Sequence, residues 1–371
     1  MSLDTTIRVI ALVLFISLAV LALTYVERKV LARIQQRIGP MRTGPLGLLQ
    51  PLADAVKLLV KEDLMPGRTD RLLFWAAPLV VFVPAFVIWT TIPFAQQVVV
   101  RNLQFGLLFI VAVSTVSTAG LVMAGLGSYN KYALLGAARA VAQLVTYELP
   151  LVFAVLAVAM LAGSLDMREI VQGQAGFPYV LVQPLGLGIF LLSGLAEVGR
   201  TPFDIPTAES EIMGGPLVEY SGMHWAMFYL AEYANTLALA ALATLLYLGG
   251  WEGPWLPSLL GTAGSVLWFL IKCSLIVLVV FWVRSALPRL RIDQLMGAGW
   301  KLLLTLSFAN LLLTGFYRFY GWWDGLMAAL SLALVVAGIY YLVKRRRGAT
   351  EGRVRLLPRE ELAQWSGPSK P

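Results

Sequence analysis

Carboxylate side chains occur inside long apolar runs of this sequence, where they can hold or transfer protons. Glu148 and Glu232 each lie about eight residues inside such a run, and Glu197 lies near the end of another. At about 1.5 Å per helical residue, the first two lie about 12 Å below the same membrane surface. A charge at that depth costs at least about 2.5 kcal/mol, so such residues usually face a water-filled path or a partner. Buried structural ion pairs are the alternative, but three acids on one side of the membrane midplane favour a functional polar chamber.

An unusually acidic loop, residues 197–223, follows one of these runs. It carries five acids against one base, Arg200, and its proline, phenylalanine and glycine content favours a folded loop. A solvated turn that docks on a basic partner is the alternative. Together with the acids of the apolar runs, the loop predicts a continuous acidic funnel from the cytoplasm into the membrane. The predicted funnel consists of Glu148, Glu197, Asp204, Glu209, Glu211, Glu219 and Glu232.

The segment between the first two apolar runs, residues 27–72, is basic and amphipathic. Arg33 and Arg37 are predicted one helical turn apart, before two Gly-Pro pairs break the chain. A short helix follows, too short to cross a bilayer and therefore expected in the interface plane. Its periodicity favours a plain membrane anchor, and the wall of a slot between lipid and cytoplasm is the functional alternative. Its apolar face carries Leu49, Leu52, Ala53, Val56, Leu59 and Val60, and its polar face carries Asp54, Lys57 and Lys61.

The elements that position these groups are membrane helices. The chain has 371 residues, of which 58% are hydrophobic and 13% charged, and its mean hydropathy is +0.76. No soluble fold of this size can bury so much apolar surface, so the predicted class is an all-α polytopic membrane protein, with residues 1–343 as one membrane domain. About nine runs can cross a bilayer. They are 7–26, 73–93, 105–127, 140–162, 180–199, 224–248, 263–287, 300–317 and 323–343.

The distribution of positive charge predicts the orientation. With the N-terminus outside, the cytoplasmic segments hold 24 of the 29 lysine and arginine residues. The C-terminal segment, 344–371, is then a basic cytoplasmic tail that we expect to be partly disordered. The net charge of +8 thus reflects topology, and no nucleic-acid partner is expected.

Single cysteine and histidine residues limit the chemistry of this chain. One cysteine, Cys273, gives no internal disulfide, iron–sulfur cluster or thiolate zinc site, and one histidine, His224, gives no pair for haem. Cys273 is interpreted as a small core residue and His224 as an interfacial polar anchor. Gly214-Gly215 is interpreted as a turn, since no phosphate-binding pattern surrounds it. If the protein serves redox chemistry, other molecules carry its electrons.

Four stretches of the sequence resemble the membrane H-subunit family of respiratory complex I, the homologues of mitochondrial subunit 1. ERKVLARIQQRIGP with GPLGLLQPLADAVKLLVKED, within 27–63, is similar to the first signature of the family. AEVGRTPFDIPTAESEIMGGPLVEYSGMHWAMFYLAEYANT, 196–236, is similar to the second. NKYALLGAARAVAQLVTYELP and PRLRIDQLMGAGWK also fit, and the resemblance extends to about residue 343.

The resemblance implies a subunit of NADH:quinone oxidoreductase, a translocase that couples quinone reduction to proton pumping. Such a protein forms the membrane half of the quinone chamber and has no complete active site of its own. Its substrate is a quinone (ubiquinone or menaquinone), whereas metal, flavin and iron–sulfur clusters belong to other subunits. The implied partners are hydrophilic peripheral-arm subunits, small membrane-arm subunits and the lipid of a bacterial inner membrane. The implied chamber residues are Arg28, Arg37, Asp54, Lys57 and Arg200, and the predicted apolar wall is Leu49, Leu52, Ala53, Val56 and Phe228.

Because of two departures from the family pattern, the predicted funnel has fewer acidic residues in this chain. Many members have Glu where this chain has Thr207, and some have an acid where it has Thr115. Two further functions stay open on the residues alone. One is the equivalent subunit of a membrane hydrogenase or ferredoxin-fed complex, and the other is a stand-alone ion transporter, which the docking character of the cytoplasmic loops disfavours.

Overall fold

A computed structural model describes residues 3–254 and 256–351 of the chain. Within these ranges it describes the side chains except those of residues 3–5, 209–210, 256, 258–259 and 341–351. Regular structure in this part of the chain is helical, without strands. The α-helices are α1 Leu3–Ile34, α2 Gln50–Val60, α3 Arg71–Val87, α4 Gly106–Gly127, α5 Lys131–Ala162, α6 Met167–Gln172, α7 Tyr179–Val182, α8 Pro184–Glu197, α9 Glu209–Ile212, α10 Gly222–Tyr247, α11 Leu256–Ala286, α12 Ile292–Ala298, α13 Leu304–Tyr320 and α14 Asp324–Glu351.

The predicted all-α membrane fold is confirmed. Seven helical segments of the described chain are long and apolar enough to cross a membrane, and the shorter apolar helices Pro184–Glu197 and Asp324–Tyr340 occupy the fifth and ninth predicted runs. The last helix continues to Glu351, inside the predicted tail. Residues 352–371, the rest of that tail, lie outside the described residues. The orientation of the bundle stays a prediction.

Several predicted spans differ from the structure, among them the fourth, which begins at Lys131 instead of residue 140. The fifth run is two helices, because Pro184 begins α8 and the preceding Gln183 leaves the helical region at φ −134° and ψ 63°. Proline disfavours the α conformation of the residue before it, which favours a break in the helix at Gln183. The eighth span begins earlier than predicted, since α12, a π-helical turn Gly299–Leu303 and α13 form one segment from Ile292 to Tyr320.

The helices α5 and α10 form the centre of the bundle. The most apolar windows of α10 and α5 are 67% and 61% buried within the chain, against 22% for α4 and 28% for α1. Glu148 lies on α5 and Glu232 on α10, so both acids belong to inner helices. The outer helices leave apolar faces for lipid or for other proteins.

The acidic loop is folded against α5, as its composition predicted. Gly214 and Gly215 both have positive φ, at 99° and 59°, and form the expected turn. A Cβ added at Gly136 of α5 would lie 2.5 Å from the Cα of Gly215, so the two backbones touch without intervening side chains. The Gln143 side-chain amide also donates to the carbonyls of Ala196 and Phe203, at 2.7 and 2.8 Å. The loop is therefore held in one position relative to the membrane helices.

Candidate functional site: an apolar cavity that meets a polar chamber

An apolar cavity of about 320 Å³ lies behind α2. The predicted in-plane helix is present as Gln50–Val60, and it covers one side of this cavity. Leu59 and Met223, at its rim, are 64% and 48% exposed, so the cavity opens on the outside of the chain between α2 and α10. Its lining is Val20, Leu21, Thr24, Arg28, Pro51, Asp54, Ala55, Leu58, Leu59, Phe82, Met223, Ala226, Met227, Tyr229 and Leu230.

The face of α2 that carries Asp54 and Ala55 lines this cavity, whereas periodicity predicted an apolar face that carries Ala53 and Val56. Asp54, placed on the polar face by periodicity and in the chamber by the family resemblance, points inward and accepts a 2.5 Å charged hydrogen bond from Arg28. This pair ties α2 to α1 and turns the helix about its axis. Lys57, 3.8 Å from Asp54, keeps a side chain that is 66% exposed. The predicted wall residues Leu49, Leu52, Ala53 and Val56 are exposed on the outer face and do not line this cavity, so their place in a chamber wall stays a prediction.

A polar chamber of about 1250 Å³ adjoins the apolar cavity. Arg28 and Tyr229 line both spaces, so the two meet at these side chains. Together they form one amphipathic path from the outside of α2 to charged groups. The chamber is lined by Glu27, Arg28, Leu31, Gly199, Arg200, Thr201, Asp204, Thr207, Met213, Gly214, Leu217, Val218, Tyr220, Trp225, Tyr229, Glu232, Tyr233, Arg284 and Arg289.

A network of charges, of which Arg200 and Glu27 are buried and Glu232 and Arg284 partly exposed, forms the inner wall of the chamber. The Arg200 side chain is 3% exposed, and its Nε lies 3.2 Å from Glu232, while its Nη1 lies 3.7 Å from Glu27. Glu27 is 4% exposed and also pairs with Arg284. The guanidinium of Arg200 lies 4.0 Å from the ring centre of Tyr233. Burial disfavours its charge, but Glu232, Tyr233 and Glu27 outweigh this, so the pKa of Arg200 stays above its ordinary value.

A second ion pair lies on the loop side of the chamber. Asp204 accepts a 2.9 Å hydrogen bond from Arg289. The hydroxyl of Thr207, one of the two positions that depart from the family pattern, donates to the same carboxylate. Thr207 therefore takes part in the chamber as a hydrogen-bond donor rather than as an acid.

A smaller cavity, about 110 Å³, leads from the chamber toward Glu197. Glu232 and Gly199 line both this cavity and the chamber. Glu197, at its far end, interacts electrostatically with Glu148. Phe228 lines this inner cavity and not the apolar one, so its place in the apolar wall stays a prediction. It packs edge-on against Tyr220, with ring centres 5.0 Å apart, because its position on α10 turns it toward the folded loop.

The remaining predicted residues lie away from these cavities. Glu211 pairs with Arg139 at 2.6 Å, and Glu219 accepts a 2.7 Å hydrogen bond from Asn130. Arg37 is exposed beyond the end of α1. Gln36 has a positive φ of 53° and interrupts the helix, so Arg37 does not lie one helical turn after Arg33 as predicted. The side chain of Glu209 lies outside the described residues. Asp204, Glu232 and Glu197 line the cavities, Glu148 interacts electrostatically with Glu197, and Glu211 and Glu219 fasten the loop. The continuous funnel stays a prediction.

Comparison with known proteins assigns the family. A family model for NADH dehydrogenase matches residues 7–315. The H subunit of NADH-quinone oxidoreductase from Dehalococcoides mccartyi strain CBDB1 is 52% identical over 302 residues, which are 81% of this chain and 83% of the relative. The chain belongs to the H-subunit family of complex I. The H subunits from Rubrobacter xylanophilus and Brevibacillus brevis are 47% and 45% identical, each over 82% of this chain and over 93% and 91% of their own lengths.

Membership in the H-subunit family makes this chain a multi-pass membrane subunit of NADH-quinone oxidoreductase, whose other subunits are its partners. Sequence reasoning on the motifs missed part of the charged network. In the sequence, Glu27 was interpreted only as the end of the first apolar run. Arg284 and Arg289 were counted only among the positive charges that predict the orientation. The sequence did contain a signal for this pairing. Glu27 is an acid at the end of the first apolar run, and Arg284 and Arg289 are cations at the end of the seventh.

The single histidine of the chain has a carboxylate partner. His224 is buried at the start of α10, and its Nδ1 pairs with Asp63 in the segment after α2. Its interpretation as an interfacial polar anchor stays a prediction. Cys273 is 4% exposed in the core, as predicted for a small core residue.

Removal of the central arginine should weaken the complex I assembly. We expect Arg200→Met to lower stability by about 3 kcal/mol, because it removes one cation from the buried Glu27 and the guanidinium partner of the half-buried Glu232. Arg139→Met is the matched control, since Arg139 forms one partly exposed pair worth about 0–1 kcal/mol. The measurement is the fraction of intact complex that survives a heating series. Equal losses for the two variants would show that the Arg200 network does not stabilise the protein.

Proposed function

We propose that this chain forms the membrane wall of the quinone chamber of complex I. The observation that carries the proposal is the meeting of the apolar cavity and the polar chamber at Arg28 and Tyr229. A quinone has the same two parts, an apolar isoprenoid tail and a ring with two carbonyl oxygens. The tail enters between α2 and α10, and the ring reaches the polar side of the junction. Ubiquinone and menaquinone both meet this description.

The apolar cavity suits the tail because its walls offer few competing polar groups. Among the described residues, the charged groups that line it are Arg28 and Asp54, which neutralise each other across 2.5 Å. A mostly apolar pocket with a few placed polar groups is the usual form of a small-molecule site. The hydroxyl of Tyr229 lies 3.1 Å from that of Tyr233, whose ring covers Arg200. Polar contacts thus lead from the junction to the charged wall.

Proton translocation is the second part of the proposal. Reduction of a quinone to a quinol takes two electrons and two protons, and the electrons come from subunits outside this chain. Proton uptake beside Glu232 and Arg200 changes the local charge. At an effective dielectric constant of 20, two unit charges 4 Å apart interact with an energy of about 4 kcal/mol. This energy is enough to shift the proton occupancy of a neighbouring acid. Glu232, Glu197 and Glu148 then relay the change along the inner cavity toward the other membrane subunits.

The names of the relatives favour the NADH-linked quinone enzyme over a hydrogenase or a ferredoxin-fed complex. A stand-alone ion transporter has no observation in its favour. The peripheral-arm subunits close the chamber on the loop side, and the small membrane-arm subunits cover the exposed helix faces. The assembly lies in a bacterial inner membrane.

A photoreactive long-tailed quinone tests the proposed function in membranes that contain the complete complex. We expect labelled peptides from residues 50–60 and 223–230, because these segments line the apolar cavity. Excess unlabelled quinone should remove the label. Labelling confined to other subunits, or label that resists competition, would overturn the assignment of this cavity to the quinone.

A further inference from the structure

The segment that follows α2 is fastened to the start of α10 by a compact set of contacts. Asp63 pairs with Nδ1 of His224, and the backbone N–H of Leu64 donates to Oγ of Ser221 at 3.0 Å. Gly222 has a φ of 53°, and a Cβ added there would lie 3.1 Å from the carbonyl oxygen of Lys61. These contacts join chain segments about 160 residues apart in the sequence.

His224 is held from its other side by aromatic rings. Its ring meets Trp75 edge-on, with centres 4.3 Å apart, and lies 6.0 Å from the ring of Phe74. The histidine side chain is 8% exposed and the Asp63 side chain 31%. A charge-assisted hydrogen bond to a buried, orientated imidazole is stronger than a pair between flexible surface side chains. Glu62, the neighbouring acid, is exposed and provides a contrast within the same segment.

This fastening lies beside the opening of the apolar cavity. Asp63 comes three residues after the end of α2, whose Leu58 and Leu59 line the cavity. His224 lies next to Met223, a residue of the opposite rim. The pair therefore sets how far the end of α2 stands from α10, and this distance is the width of the opening.

We propose that Asp63 and His224 are positioning residues that fix the entry width of the apolar cavity for a long isoprenoid tail. The inference rests on the proposed quinone function. Neither residue lines the cavity, so neither contacts the tail or the reacting ring. Their effect passes through the position of α2. A bond that served the loop alone would affect stability and leave the tail-length dependence of the reaction unchanged.

The test compares a long-tailed quinone with a short soluble analogue in the purified complex. Asp63→Ala and His224→Phe should each raise KM for the long-tailed quinone about tenfold, the effect of losing one charge-assisted hydrogen bond. The KM for the short analogue and the kcat for both should stay near wild type, because a short tail does not depend on the width of the entry. Asp63→Asn keeps an oxygen acceptor for the imidazole N–H and should restore most of the wild-type KM.

Two controls separate the pair from its surroundings. Glu62→Ala removes a carboxylate one residue away without breaking the pair and should leave both KM values unchanged. The double variant of Asp63→Ala and His224→Phe should be no worse than either single variant if the two act as one unit. If Asp63→Ala fails to assemble, Ser221→Ala replaces it, since this variant loses only the hydrogen bond from Leu64. Ser221→Ala should then give a smaller rise of the same kind.

Failure of the inference and failure of the proposed function give different results. If the pair variants change both quinones equally or neither, while Ala55→Trp inside the cavity still discriminates by tail length, the positioning role is wrong and the quinone cavity stands. If Ala55→Trp also affects both quinones equally, the tail does not use this cavity and the proposed function itself fails. A selective rise of KM for the long-tailed quinone in the pair variants supports the inference.

Discussion

Ala55→Trp should raise KM for a long-tailed quinone about tenfold or more in the assembled complex. Ala55 lines the apolar cavity of about 320 Å³, and an indole there occupies space that the proposal assigns to the isoprenoid tail. Overfilling a closely packed apolar site costs about 1–3 kcal/mol, and each 1.4 kcal/mol is about tenfold in affinity. A short soluble analogue should react at nearly the wild-type rate, because its ring can reach the polar chamber without a tail in the cavity.

Ala53→Trp provides a matched control for this result. Ala53 lies two residues away on the same helix, but it is exposed on the outer face. The same substitution there should leave KM unchanged for both quinones. Steady-state kinetics of the purified complex with each quinone makes the comparison. If Ala53→Trp is the more inhibitory variant, the cavity behind α2 is not the tail site, and the outer face of the helix is.

Glu197→Gln should lower the number of protons pumped per electron in reconstituted vesicles, and Glu148→Gln should do the same. Glutamine preserves the shape of the side chain and removes its titration. A positioned proton-transfer group typically contributes about 10²-fold or more to a rate, so we expect the rate of proton pumping per intact complex to fall about tenfold at least. Electron transfer to quinone should fall as well, because a tightly coupled enzyme cannot turn over freely when its proton path stops.

Glu211→Gln is the control for the relay. Its carboxylate pairs with Arg139 away from the cavities, so pumping per electron should remain at the wild-type value. All values are normalised to the amount of intact complex. Normal pumping in Glu148→Gln, Glu197→Gln and their double variant would eliminate the relay. Reduced assembly with a normally active assembled fraction would identify the two acids as structural instead.

The sequence was sufficient to predict the helices, but not how they face one another. Hydropathy alone places the membrane helices and the in-plane helix, because burial of apolar runs and amphipathic periodicity are local properties. The rotation of α2 depends on a hydrogen bond between Arg28 and Asp54, 26 residues apart. Apolar side chains surround much of this helix, so periodicity could not choose between the face with Ala53 and the face with Ala55.

The charged network shows the same limit at longer range. Acids in apolar runs identified Glu232 and Glu197 as unusual, since the cost of membrane burial applies to each residue by itself. Which acids share a cavity is decided by the folded loop, and the pairs of Glu211 and Glu219 separate those two from the rest. Pro184 in the sequence was a signal for the helix break at Gln183. The break was not predicted because the apolar run continues without interruption through this point.

The pairing of Glu27 with Arg284 bears on the order in which this protein is made. The two residues are 257 positions apart, on α1 and α11. When α1, α2 and α10 have been synthesised, the residues at the junction of the two cavities are already present. The buried Glu27 still lacks its partner Arg284, because α11 has not yet been made. The chamber wall therefore closes only after α11 has been inserted, late in biosynthesis. A chain truncated before α11 should be an incomplete membrane intermediate and a substrate for quality-control proteolysis, even though it carries both segments that border the opening behind α2.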